Sequence, residues 1–305
     1  MRAFVEAVGN ALGIPQRDLI EKDMILHRLL GSLPESFRNR LLFKGGTCLI
    51  KAYLGYYRFS EDLDFTWRDQ NAFSGMSQKQ VRSHLSGMIE GIGRVFEGLG
   101  EDFVYDKGDK RYVELGGSNK TVTFKLWYDS GILKHESFVK VQISFIEKIL
   151  YPPSTRELNS LLSGREHDDL RASFPEEYGE YGREVSFPVY DIKEIFCEKV
   201  RAILTRRGVS ARDFVDAYLI SKTYGIDVEE LRPQIVDKTV FALGMYEKYR
   251  KNLEEKVRLI NSKSIFEWGR ERDLLLLRID EMEFYDFVRE FIGELEIIAA
   301  DIRRE

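Results

Sequence analysis

The segment from Leu41 to Trp67 constrains the fold more than any other part of the chain. It opens with a short apolar run, Leu41-Leu42-Phe43-Lys44, that ends on Gly45-Gly46. Thr47 stands where a helix N-cap belongs and Gly55 where a helix stops, so TCLIKAYLG reads as a short helix. RFSEDLDFTW then alternates with a period of two: Phe59, Leu63 and Phe65 share one parity, Ser60, Asp62 and Asp64 the other. On a strand, residues i and i+2 project from one face, so Asp62 and Asp64 stand side by side while Leu63 points into the core. Adjacent carboxylates repel and raise one another's pKa unless something positive sits between them. A hard, oxygen-seeking Mg²⁺ meets that need, and it also bridges nucleotide phosphates.

A bare Asp-x-Asp reads as an exposed acidic strand, and Gly-Gly alone as a tight turn. Their order changes the balance, with Gly46 sixteen residues before Asp62. Glycines let the backbone approach a triphosphate, and the helix start that follows offers free N–H groups. Arg58 and Ser60, just before the acids, suit phosphate contact, Arg58 as a bidentate donor.

The rest of the chain supplies the setting. The first 40 residues read as helices, with Leu19, Ile20, Met24, Leu26 and Leu29 spaced as a helical stripe. Gln78 to Leu99 reads as a further helix. Strands are expected at Phe103–Tyr105, Tyr112–Leu115, Thr121–Tyr128 and Ser137–Phe145, with Gly116-Gly117 as a turn. Tyr151 to Tyr181, rich in Pro, Gly, Ser and charge, reads as the longest loop and as a linker. After Pro188 the pattern is helical to the end; Asp191-Ile-Lys-Glu194 is a capping-box pattern and Gly208 closes that helix. The expected class is therefore α+β: a mixed α/β domain over residues 1–185, then a helical domain over 186–305.

At 43% hydrophobic and 32% charged the composition excludes gross disorder. The two cysteines, Cys48 and Cys197, offer no disulfide framework and suit a reducing cytoplasm. The N-terminus lacks the pattern of a signal peptide, and no apolar stretch reaches the roughly 20 residues that span a bilayer. A net charge of −5 argues against a protein coated uniformly by nucleic acid and leaves room for a local basic patch. His27, His84, His135 and His167 show neither zinc-ligand spacing nor a triad.

FKGGTCLIKAYLGYYRFSEDLDF resembles the signature of the AbiEii/AbiGii-type nucleotidyltransferase toxins, members of the polymerase-β-like nucleotidyltransferase superfamily. EIFCEKVRAILTRRGVSARDFVDAYLI is similar to that family's second signature, a helical Lys followed by an Arg-Asp-x-x-Asp helix. Together they span roughly Leu41 to Ile220. The resemblance implies a polymerase-β-like mixed sheet and a helical domain that completes the active site. It also implies a Mg²⁺-dependent toxin that transfers nucleotides from an NTP to an RNA acceptor, with tRNA expected, and that a cognate antitoxin neutralises. By position, Gly45, Gly46, Thr47, Arg58 and Ser60 would bind the nucleotide, Asp62 and Asp64 the metal. Lys199 would contact the nucleotide phosphates and Asp213 would complete the active site. Ser210-Ala-Arg-Asp213 also reads as a capping box, a purely structural alternative, and Asp216 reads as the structural partner of an arginine. Arg206 and Arg207, in a stretch from Lys199 to Arg212 with five basic residues and no acidic one, are the candidates for RNA.

One departure from the pattern concerns the third carboxylate that such enzymes carry on a later strand as general base. On the candidate strand SFVKVQISF that place is held by Gln142, which cannot take a proton. Either Asp213 supplies the third acid or hydroxyl activation relies on the metal alone; Glu147 is a weaker candidate. Two other readings stay open: a nucleotidyltransferase acting on a small molecule, as antibiotic adenylyltransferases do, and a non-catalytic binding protein that keeps the fold.

Overall fold

Period-two patterning in the front half builds one sheet. In the computed structural model, which describes residues 1–99 and 101–305, the chain divides into two units. The first comprises Met1–Glu147 and Pro153–Val189, the second Lys148–Pro152 and Tyr190–Glu305. Among the described residues, the first unit carries strands β1 (Leu41–Lys44), β2 (Asp62–Trp67), β3 (Val113–Gly116), β4 (Thr121–Asp129), β5 (Glu136–Ser144), β6 (Ser154–Glu157) and β7 (Ser186–Val189). They form a mixed sheet in the order β3-β4-β5-β2-β1-β7-β6. Strand β2 runs antiparallel to β1 and parallel to β5, and β1 runs parallel to β7. The unit's helices are α1 (Arg2–Leu12), α2 (Arg17–Ser32), α3 (Glu35–Arg38), α4 (Gly45–Leu49), α5 (Gln78–Glu97), α6 (Asp168–Ser173) and α7 (Pro175–Tyr181). A π-helical turn, Ile50–Leu54, prolongs α4 and stops at Gly55, whose φ is +74°.

Alternation decides which side chains are buried. Val122, Phe124 and Leu126 of β4 and Val139, Val141 and Ile143 of β5 are wholly buried, each contributing about 1.5–3 kcal/mol through burial. Leu85, Ile89, Ile92 and Phe96 form the buried stripe of α5, and the Phe96 ring lies 5.0 Å from Phe124. On β1, β2 and β7, Phe43, Phe65 and Phe187 meet with centroids 5.3 to 5.9 Å apart. The opposite parity of β2, Asp62 and Asp64, is left half-buried.

Two expectations for the first unit need correction. The stretch from 151 to 181 is no linker: it contains β6, α6 and α7, and Tyr181 is buried within the first unit. Its signal was weak because Ser154–Glu157 is an exposed edge strand without alternation and both helices are short. Residues 103–105 form no strand; only an isolated bridge, Asp102 with Trp127, forms there.

The second unit is helical: α8 (Ile192–Thr205), α9 (Ala211–Tyr224), α10 (Val228–Met245), α11 (Glu247–Asn261) and α12 (Glu281–Ile302). Asp191 caps α8 by accepting from Lys193 N–H at 2.8 Å. Glu194 does not close the expected capping box. Its carboxylate accepts from the N–H groups of Leu150 and Tyr151 and pairs with the buried Lys238, which ties Lys148–Pro152 to this unit. Burial, with Glu194 nearby, pushes the Cys197 thiol up to about 12, so this buried thiol is inert. Among the described residues no helix is long and apolar enough to cross a membrane.

Candidate active site

Register sets the surroundings of the two acids. Directly opposite residues of neighbouring strands share a face, and Asp64 is flanked by Lys44 on β1 and Gln142 on β5, Asp62 by Lys140 on β5. Lys44 is 6% exposed and pairs with Glu147 at 3.2 Å, so the weaker third-acid candidate is held by a lysine. On α2, Lys22 lies 2.6 Å from Glu61. Burial works to lower the pKa of its ammonium, but Glu61, with lesser help from Tyr128 and Asp62, raises it above the ordinary value. The acid pair therefore sits among cations, which eases its repulsion.

The glycine turn runs against this pair. Gly45 has φ +76°, and a Cβ there would meet Asp64 Oδ2 at 2.4 Å; one on Gly46 would meet Arg58 Nη2 at 2.7 Å and Ser60 Oγ at 3.0 Å. Both glycines are thus required by close approach to the motif that follows them, Gly45 also by its backbone conformation. Arg58 is 4% exposed, and its Nη1 donates to the Phe59 carbonyl at 2.8 Å. Thr47 is not an N-cap. It lies inside α4, and its buried hydroxyl donates to the Asp62 carbonyl at 2.5 Å, pinning the start of β2 to the turn.

Among the described residues no group of three or more His, Cys, Asp or Glu gathers to hold a metal. The two oxygen-donor side chains of Asp62 and Asp64, half-buried on one face beside a turn whose missing Cβ leaves space at Asp64, nevertheless suit Mg²⁺. This ion is bound through one or two carboxylates and completes its shell with waters and phosphates.

In the second unit the second signature forms a buried ionic cluster. Lys199 Nζ lies 3.0 Å from Asp213 Oδ1 and 2.6 Å from Asp216 Oδ2, and Arg206 Nη1 lies 3.4 Å from Asp213 Oδ2. Asp213 is 3% and Asp216 0% exposed. The capping box read at Ser210–Asp213 is absent: Ser210 is the N-cap without a side-chain bond, because Asp213 turns to Lys199 and Arg206. Asp216, read as the partner of an arginine, has a lysine, Lys199, as its 2.6 Å neighbour.

The model of the family described as "Nucleotidyl transferase AbiEii toxin, Type IV TA system" matches residues 28–294. The chain belongs to the AbiEii family. This is a family of nucleotidyltransferase toxins of type IV toxin–antitoxin systems, which implies a cognate antitoxin. Among solved structures, the chain is similar to JHP933 from Helicobacter pylori, at 17% identity over 92% of each chain with a TM-score of 0.42. It is also similar to a candidate nucleotidyltransferase from H. pylori, at 16% identity over 92% of this chain and 94% of that one, with a TM-score of 0.39. No curated protein matches the chain.

Sequence reasoning passed over several residues around this AbiEii signature. Lys44 and Lys140 flank the acids only through register, which no local pattern reveals. Buried Lys51, on the π-helical turn, lies 2.8 Å from Asp23 Oδ1 and donates to Tyr56 Oη at 2.7 Å; Tyr56 and Tyr181 both donate to Asp23 Oδ2. Burial lowers the Lys51 pKa while Asp23 opposes the shift. This network ties α2, α7 and the π turn behind the glycine loop. The one signal for it was a lysine at a position of helical apolar spacing.

Proposed function

We propose that this AbiEii-family chain transfers a nucleotide from an NTP to an RNA acceptor, tRNA foremost, in a Mg²⁺-dependent reaction in the cytoplasm, restrained by its antitoxin. The observation that carries the reading is the approach of the Gly45 backbone to Asp64, where a Cβ would stand 2.4 Å from the carboxylate oxygen. A turn pressed so closely on paired acids suits a triphosphate held against metal ligands.

The residues take these roles. Asp62 and Asp64 are the metal ligands; Mg²⁺, when bound, neutralises the phosphate charge. Gly45, Gly46 and Ser60 hold the triphosphate, Arg58 orients the turn, and Thr47 fixes Asp62 through its backbone. Lys199, with three N–H donors and two carboxylate partners, keeps a donor for nucleotide phosphate. The acceptor hydroxyl attacks the α-phosphorus, a P–O bond forms, the bond to pyrophosphate breaks, and Asp213 receives the hydroxyl proton. Gln142, beside Asp64 in register, supports this assignment because it leaves β5 without an acid at that place.

Incubation with each labelled NTP, Mg²⁺ and total RNA tests the reading. Label on RNA that chelator abolishes is the expected result. Label confined to small molecules would overturn it in favour of a small-molecule nucleotidyltransferase, and no label anywhere would leave a binding protein.

A further inference from the structure

The end of α8 and the start of α9 line a small cleft, open to solvent, within the helical unit. Its charged lining is mainly cationic: Arg206, Arg207 and Lys256, with Asp213 as the one carboxylate. Lys199 is shared between Asp213 at 3.0 Å and Asp216 at 2.6 Å, so Lys199, Arg206, Arg207 and Lys256 together face these two carboxylates with an excess of positive charge. Arg206 has a 61% exposed side chain, and Arg207 is exposed with no carboxylate within ion-pair distance among the described residues.

Lys256 is the informative member. It comes from α11, is 3% exposed, and donates to the Gly208 carbonyl; among the described residues no carboxylate lies within ion-pair distance of it. A buried ammonium is costly unless paired, and the Gly208 carbonyl meets one of its three N–H donors. Burial pushes its pKa below the ordinary value, and Asp213 offsets this only in part. A cation kept under those conditions at the wall of an open cleft is poised for an anion that enters from solvent.

We propose that this cleft is a phosphate site, with Lys256 as its buried cation and Arg206 and Arg207 as its rim, and that it takes a backbone phosphodiester of the acceptor RNA. Two arginines match a phosphate with bidentate donors, and the apolar wall of Ile203, Phe214 and Ile265 suits the attached sugar. The choice of acceptor over NTP rests on the function proposed above, in which the triphosphate is held by the Gly45-Gly46 turn, Ser60 and Lys199.

The experiment measures two affinities on the full chain: labelled single-stranded RNA by anisotropy at several salt concentrations, and a non-hydrolysable NTP with Mg²⁺ by calorimetry. Arg207→Gln, Lys256→Met and Lys256→Arg are compared with the unaltered protein, each checked by thermal melting. Arg207 lies on the surface, so its variant reports even if Lys256→Met fails to fold. The expected result is RNA affinity lowered about tenfold or more in Arg207→Gln and Lys256→Met, largely restored in Lys256→Arg. The log–log salt slope should fall by about one per lost cation, with NTP affinity unchanged. Unchanged RNA affinity in Arg207→Gln overturns the proposal, and equal loss of RNA and NTP affinity assigns the cleft to the triphosphate instead. Because binding is read without turnover, an absence of nucleotide transfer by the unaltered protein would refute the proposed function while leaving the phosphate site separately decided.

Discussion

Lys199, Asp213 and Asp216 bring a structural ion-pair cluster and a proposed chemical role together at one place. Removing the ammonium in Lys199→Met takes the 3.0 Å partner of Asp213 and the 2.6 Å partner of Asp216 out of a buried cluster, which should cost about 3–5 kcal/mol and appear as a large drop in melting temperature. Asp213→Asn keeps the 2.6 Å pair with Asp216. It should therefore lose far less stability while transfer falls about 10²–10⁴-fold, as for loss of a general base. Equal stability losses in the two variants would return Asp213 to a structural role. His27 offers an independent check on the core of the first unit. Burial, then Lys51, lowers its pKa to about 4 although Nε2 donates to the Arg183 carbonyl at 2.9 Å. The folded pKa lies below the unfolded value of 6.5, so the unfolded chain binds the proton first as pH falls. Stability is full above that value and drains away towards pH 4, by about 2 kcal/mol at pH 5. Melting temperatures should fall between pH 7 and pH 5, and His27→Gln should flatten the slope; an unchanged slope would contradict the assignment.

At the level of elements, the glycine turn and β2 were legible because their constraints are local. Alternation placed Asp62 and Asp64 on one face, and two glycines marked a close approach. Thr47 was misread because an N-cap and a buried threonine donating to another strand look alike in one dimension. The same ambiguity left Asp213 with two readings, active-site and capping, until α8 supplied Lys199, and β6 stayed hidden because its exposed residues carry no period. Lys256 was out of reach, since its meaning depends on Gly208, 48 positions away in sequence. A paired substitution tests the turn. Gly45→Ala adds a Cβ 2.4 Å from Asp64 Oδ2 at φ +76°, whereas Gly55→Ala, at φ +74°, meets nothing within 4 Å. Both should lose about 1–3 kcal/mol to backbone strain, but only Gly45→Ala should lose transfer as well, by more than about 10²-fold, as for misplacement of a reacting group. Equal activity in the two would mean that the turn does not bear on the acids.

For the whole molecule, the order of an α+β front half and a helical back half could be read from periodicity, since the period changes from two to 3.6 near Pro188. The return of Lys148–Pro152 to the helical unit could not, because it is fixed by Glu194 accepting from two backbone N–H groups. As a nucleotidyltransferase toxin of a type IV system, the protein expressed without its antitoxin should slow bacterial growth, and Asp62→Ala should lift the arrest at equal protein level. Arrest that persists in Asp62→Ala would detach toxicity from the acids. The decisive measurement is transfer of an α-phosphate-labelled nucleotide to RNA with Mg²⁺ by the unaltered protein, Asp62→Asn and Asp64→Asn, each shown to be folded by its melting curve. The unaltered protein should label RNA and both variants should fall by at least about 10³-fold, since each removes the charge of a proposed metal ligand while no core cavity is made. Labelling by either variant at the unaltered level would contradict a metal-dependent site built on Asp62 and Asp64.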